Sequence, residues 1–396
     1  MNWTKKDILL FTITLTLLFI VANVISQNFL LNNYGVSIYD PGHESFSNRF
    51  VKVMHRSHAH PFYGLADGGQ RGLSSELSAE NSFATISPIP PKNAVNILVL
   101  GGSVAGHLSL RTSPGSDDYL LSKFLNSYFN TDRFVVYNAA FGGGKQPQQY
   151  FKLLYLDLLG FTPDLIINYD GFNEVALTHG ENFNRNLNAI YPRQYDETIF
   201  STATDGACIP KSNQLLASNS LIPLVELARW VFVMKCHREV TGAGRTIEFT
   251  NPSLINEEKA EYNKHVTNIW AESSNKISKF SSDNDIPYIH VLQPNQYFPN
   301  SKTLSKKELD DFYKPGPYKT AVERHYKDFD IEALIAENTL DQRGIFYDER
   351  RTVYADSCCH FNQLGMSLII SDMVVRFKTV FEKLLKPDIG DLQDSP

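Results

Sequence analysis

The chain has 396 residues, 42% apolar and 20% charged, and a formal net charge of -6. That composition belongs to a folded protein with a large core, built as one large or two ordinary domains. A slightly acidic balance without a long basic run excludes a nucleic-acid footprint, and four cysteines are too few for a disulfide scaffold.

In chain order, the first element is Ile8 to Ile25, apolar apart from Thr12, Thr14, Thr16 and Asn23. It reaches about the minimum length for a membrane-spanning helix. Lys5 and Lys6 precede it and no basic cluster follows directly. The positive-inside rule therefore leaves the N-terminus in the cytoplasm and the body outside. Residues 1–26 read as a cytoplasmic tip and signal anchor, making the membrane a partner through this helix. The alternative is a cleaved signal peptide ending near Val24-Ile25-Ser26, which exports the body equally. Export permits disulfides. Cys208 and Cys236 either pair or stay as buried thiols, and the adjacent Cys358 and Cys359 are expected to pack as thiols beside His360.

Residues 27–93 are irregular and read as a stalk and lead-in. A β/α rhythm then begins, with strands expected at Val95–Leu100, Phe134–Asn138, Leu165–Tyr169 and Pro287–Leu292. Helical patterns fall at Asp118–Phe129, Pro147–Leu159, Ile255–Phe280 and Asn362–Leu385. Proline near the start and glycine just past the end of Pro147–Leu159 are ordinary helix boundary signals. Strands alternating with helices imply a parallel sheet covered on both faces. The domain spans 94–390, with insertions at 176–254 and 295–350. Such insertions tend to build substrate clefts. The apolar stretch Leu221–Met234 in the first is short for a span and carries Glu226 and Arg229, which favours a buried or groove-lining helix.

Four blocks carry the chemistry. Val95–Leu100 ends in Gly101-Gly102-Ser103. Asn138-Ala139-Ala140-Phe141-Gly142-Gly143-Gly144 follows the second strand. Gly171-Phe172-Asn173-Glu174 follows the third, and Asp356-Ser357-Cys358-Cys359-His360 precedes the last helix. In this order they resemble the SGNH (GDSL-type) hydrolases over about residues 94–175 and 285–385. The resemblance implies a flavodoxin-like three-layer α/β/α sandwich. Ser103 would be the nucleophile, His360 its base, and Asp356 the acid that orients the imidazole. The N–H groups of Ser103 and Gly143 and the Asn173 amide would form the oxyanion hole, with Gly142 or Gly144 as alternatives to Gly143.

Three positions depart from the family pattern. Gly102 stands where an aspartate is usual, Glu174 where aspartate is commoner, and three residues separate Asp356 from His360 where two are usual. A bulge or a Ser357 contact would absorb the extra residue. No dinucleotide fingerprint occurs, and His107-Leu108 occupy the Lys-Ser/Thr positions of a P-loop, so no cofactor is expected. His55, His58 and His60 lack a fourth ligand and read as loop residues, so no metal is expected either. Asp170, His179 and Glu181 flank the Asn173 loop and read either as lining the substrate site or, more simply, as solvated loop residues; Gln293 to Tyr297 read as part of the cleft wall.

The implied reaction is hydrolysis of O-acyl esters through a seryl ester, on an envelope or secreted carbohydrate by preference, or on a lipid. Two alternatives remain: a polysaccharide O-acetyltransferase with the same triad, and a non-catalytic carbohydrate-binding or assembly protein of the envelope.

Overall fold

The computed structural model describes residues 5–34, 57–60, 64–67, 93–108, 120–193 except 186, 195, eight helical positions between Leu224 and Cys236, and 259–386. The chain divides into two units, one of residues 1–56 with 196–249 and one of 57–195 with 250–396.

In the first unit, helix α1 runs from Lys5 to Tyr34, past the expected end of the anchor at residue 26. Its described apolar side chains, among them Phe11, Leu15, Leu18, Phe19, Val21 and Ile25, are exposed. Ala22, Asn23, Ser26 and Gln27 form its covered stripe. The Asn23 side chain accepts the backbone N–H of Leu224 at 3.2 Å. Among the described residues, no helix is long and apolar enough to cross a membrane.

The second unit opens with an antiparallel hairpin of β1 (Ser57–His60) and β2 (Gly64–Asp67), inside the expected stalk. A five-stranded parallel sheet follows: β3 (Val95–Gly101), β4 (Phe134–Asn138), β5 (Leu165–Asp170), β6 (Tyr288–Leu292) and β7 (Asn338–Asp341). The order is β4-β3-β5-β6-β7, the 2-1-3-4-5 arrangement of flavodoxin-like sheets. The three inner strands, β3, β5 and β6, are apolar runs because a parallel sheet is covered on both faces. Along β3 the pleat sends Ile97 and Val99 to one core and Leu98 and Leu100 to the other.

The first core is closed by Leu121 and Leu125 of α3 (Leu120–Phe129) and by Ile369, Ile370, Met373 and Val374 of α8 (Gln363–Arg376). The second takes Leu153 and Leu156 of α4 (Gln148–Leu158) and Ile277 of α6 (Lys259–Asp283). Burying each such side chain contributes about 1.5–3 kcal/mol, so these two cores fix the sheet and the ends of its strands. Short helices follow two strands directly, α2 (Ser103–Leu108) after β3 and α5 (Phe172–Leu177) after β5. Helix α7 (Pro317–His325) lies within the second expected insertion. The expected last helix is two, because the chain breaks at Phe377 before α9 (Lys378–Leu385).

Strand β7 was not expected. Its sequence, Asn-Thr-Leu-Asp, has no apolar run and is only partly buried. It pairs with β6 alone, so an edge position asks little of its side chains.

Candidate active site

The carboxyl ends of β3 and β5 meet where strand order reverses, the usual place for a site in an open α/β sheet. Gly101, at φ +143°, makes the turn out of β3; a Cβ there would lie 2.2 Å from the Tyr169 carbonyl oxygen. Ser103 is thereby the first residue of α2, where first-turn N–H groups have no acceptor within the helix. Its N–H is free to face a ligand oxygen.

Ser103, His360 and Asp356 come together across more than 250 residues of sequence. Ser103 Oγ lies 2.8 Å from His360 Nε2, and His360 Nδ1 lies 2.5 Å from Asp356 Oδ2. These are hydrogen-bond distances suited to proton transfer.

The extra residue between Asp356 and His360 sits in a closed loop. A Tyr354–Phe361 bridge and a bond from Ala355 N–H to the His360 carbonyl seal its base. Asp356 Oδ1 accepts the N–H groups of Cys358, Cys359 and His360 at 2.9, 3.1 and 3.3 Å. Burial pushes the Asp356 carboxyl up, but His360 and these N–H donors outweigh it and hold the group well below the ordinary carboxylate range. The same acid thus orients the base and organises the loop that carries it.

Cys358 and Cys359, expected as separate packing thiols, are bonded to each other in this turn. Cys236 is also disulfide-bonded, while Cys208 lies outside the described residues. The segment after β6, expected as cleft wall, braces the base loop. Asn295 Nδ2 donates to the Cys358 carbonyl, Gln296 Nε2 to the Asp356 carbonyl, and Tyr297 OH to the Ser357 carbonyl at 2.5 Å.

The three candidate oxyanion donors are adjacent. Gly143 is buried at φ +74°. Asn173 Nδ2 donates to the Gly144 carbonyl at 2.7 Å, which leaves its second N–H for a ligand. That amide also explains Gly102: a Cβ there would meet Asn173 Nδ2 at 2.1 Å. The space that a side chain at residue 102 would need is taken by the oxyanion amide.

Beneath the donors lies a buried polar network. Glu174 Oε1 accepts the Gln146 N–H at 2.9 Å and the Gln149 amide at 3.1 Å; its Oε2 accepts the Gly171 N–H at 2.8 Å. It therefore ties the second block to the third, and burial followed by Asp170 pushes its carboxyl up. Asp170 is buried, not solvated as expected. It accepts from Trp270 Nε1 at 2.9 Å and Asn168 at 2.9 Å, and lies 2.8 Å from His290 Nε2. His179 is buried and stacks on His325 with ring centroids 4.1 Å apart. Glu181 pairs with Arg193. Lys145 is fully buried, donates to the Ala189 carbonyl, and is pushed down to about 7 by burial.

His107, which in the sequence speaks only against a P-loop, lies beside the candidate base. One turn after Ser103, its ring packs on that of His360 with centroids 4.8 Å apart. Burial, then the His360 charge, lower it to about 4, so a neutral imidazole backs the base. The i, i+4 spacing from Ser103 was the available signal. His58 and His60 fall on β1, and His55 lies outside the described residues. Among the described residues, Cys358, Cys359 and His360 are the group with metal-ligand spacing; with the two sulfurs bonded to each other, no pair of thiolates is present to hold an ion.

The fold and site together define an α/β protein with a parallel flavodoxin-like sheet and a Ser–His–Asp constellation at its switch point. No family model and no curated protein matches the chain. Similar solved structures are hydrolases. One is LAE5, an alpha/beta hydrolase enzyme from the metagenome of Lake Arreo, Spain, at 13% identity and TM-score 0.31, over 72% of this chain and 95% of that one. Another is the lipase/acylhydrolase from Enterococcus faecalis, at 12% identity and TM-score 0.30, over 74% and 97%. Both likenesses are remote.

Proposed function

We propose that this protein is an SGNH-type serine esterase acting on O-acyl esters of envelope or secreted carbohydrate. The observation that carries the reading is the continuous contact from Ser103 Oγ through His360 to Asp356.

Ser103 Oγ attacks the ester carbonyl while His360 Nε2 takes its proton, and Asp356 stabilises the imidazolium. The carbonyl oxygen becomes an oxyanion facing the N–H groups of Ser103 and Gly143 and the free N–H of Asn173. His360 returns the proton to the departing alkoxide, leaving an acyl-Ser103 ester. Water repeats the sequence and releases the acid. A sugar hydroxyl in place of that water makes the same machinery an O-acetyltransferase.

Export and tethering through α1 belong to this proposal. Lys5 and Lys6 and the exposed apolar side chains of α1 support them. Partition of the full chain into membrane fractions, with protease access to the unit of residues 57–195 and 250–396 from the non-cytoplasmic side only, is the expected result.

A fluorophosphonate probe tests the chemistry. Wild type should be labelled, and Ser103→Ala and His360→Ala should not. Equal labelling of wild type and Ser103→Ala removes the nucleophile. Unlabelled wild type that still retains glycan supports a binding protein instead. Turnover only with an added oligosaccharide identifies a transferase.

A further inference from the structure

Arg193 lies against the oxyanion loop. A Cβ on Gly143 would sit 3.0 Å from Arg193 Cδ and 3.8 Å from its Nη1. The guanidinium is held in place from one side: Nε donates to Glu181 Oε2 at 3.1 Å and Nη2 to Tyr318 OH at 3.2 Å. Tyr318 OH in turn donates to Glu181 Oε1 at 2.5 Å. An arginine carries five N–H donors, and these contacts use two. Nη1 has no acceptor among the described residues, although the side chain is only one-third exposed. Partly buried donors on a fixed guanidinium fork match a planar or tetrahedral oxyanion.

We infer that Arg193 forms a subsite beside the oxyanion hole for an anionic oxo group of the substrate, a carboxylate or a phosphate. The inference rests on the reading of Gly143 as part of the active site. Among the described residues the carboxylate paired with Arg193 is Glu181, while burial favours the neutral forms of both Glu174 and Lys145. A sugar acid or a phosphorylated polyol bearing the ester would give Nη1 a charge-assisted hydrogen bond, which is stronger than one to a neutral sugar oxygen.

Binding to the Ser103→Ala protein separates this claim from the esterase claim, because no turnover is needed. The probes are methyl glucuronoside, glycerol phosphate and methyl glucoside, measured by titration calorimetry at low salt. At least one anionic probe should bind about tenfold or more tighter than the glucoside, as expected for a hydrogen bond to a charged group. The better of the two anions identifies the group. The preference should vanish in Ser103→Ala/Arg193→Ala and in Ser103→Ala/Arg193→Met. The methionine variant keeps an aliphatic stem over Gly143, so loss there is not collapse of the loop; melting curves check the fold of both. Equal or absent binding of all three probes, or a preference that survives without Arg193, overturns the subsite. Failure of fluorophosphonate labelling in wild type would instead overturn the esterase reading.

Discussion

Placing at residue 102 the aspartate usual in SGNH hydrolases should damage the proposed activity. The Cβ alone would fall 2.1 Å from Asn173 Nδ2 and 3.1 Å from the Gly144 carbonyl oxygen. Asn173 must move and give up its 2.7 Å bond to Gly144, a net loss of about 1 kcal/mol of stability. The larger effect is catalytic. Displacing one oxyanion donor costs about 10²–10³-fold in kcat, or about 3–4 kcal/mol of transition-state stabilisation. Because the donor acts on developing charge, KM should change little. The assay is steady-state hydrolysis of 4-nitrophenyl acetate, with melting curves for each variant. Gly102→Ala should share most of the defect, since the collision begins at Cβ. A Gly102→Asp protein as active as wild type would refute this account of the loop.

Further predictions follow from the network and the base loop. The raised carboxyl of Glu174 keeps its proton in the fold at pH values where the unfolded chain has lost it. Stability should therefore fall as pH rises from about 4.5 toward the raised value. Lys145, lowered to about 7 from 10.5, gives the opposite slope, with stability rising above about pH 7. In Glu174→Gln the acid-side fall should disappear from a plot of melting temperature against pH; an unchanged slope between about pH 5 and 7 would count against the network. Asp356→Ala should lower kcat by about 10³–10⁴-fold and weaken the loop that its Oδ1 organises; full activity would remove it from the triad. Tyr297→Phe frees the Ser357 carbonyl, and its melting curve should show a loss of about 1 kcal/mol with a several-fold lower kcat.

The blocks were legible because each ends a strand and carries residue types that a strand-end site requires. Val95 to Leu100 followed by two glycines announces a buried strand and a sharp turn, and the structure places Ser103 there. Strand β7 was illegible because an edge strand needs only one partner and no apolar run. The spacing from Asp356 to His360 could not be resolved from sequence, since its solution depends on three backbone N–H groups and on Asn295, Gln296 and Tyr297, about 60 residues away. Asp170 beside Gly171 looked like a solvated loop acid for a similar reason. Its partners Trp270 and His290 lie 100 and 120 residues further on. Arg193 gave no local signal at all, because only the fold brings it onto Gly143.

The central claim is that Ser103 carries the acyl group. The most direct measurement is mass spectrometry of protein quenched in acid during turnover of 4-nitrophenyl acetate. One added acetyl is expected, on the peptide containing Ser103, and none in Ser103→Ala. Turnover with no acylated protein, or acetylation at another residue that persists in Ser103→Ala, would contradict it.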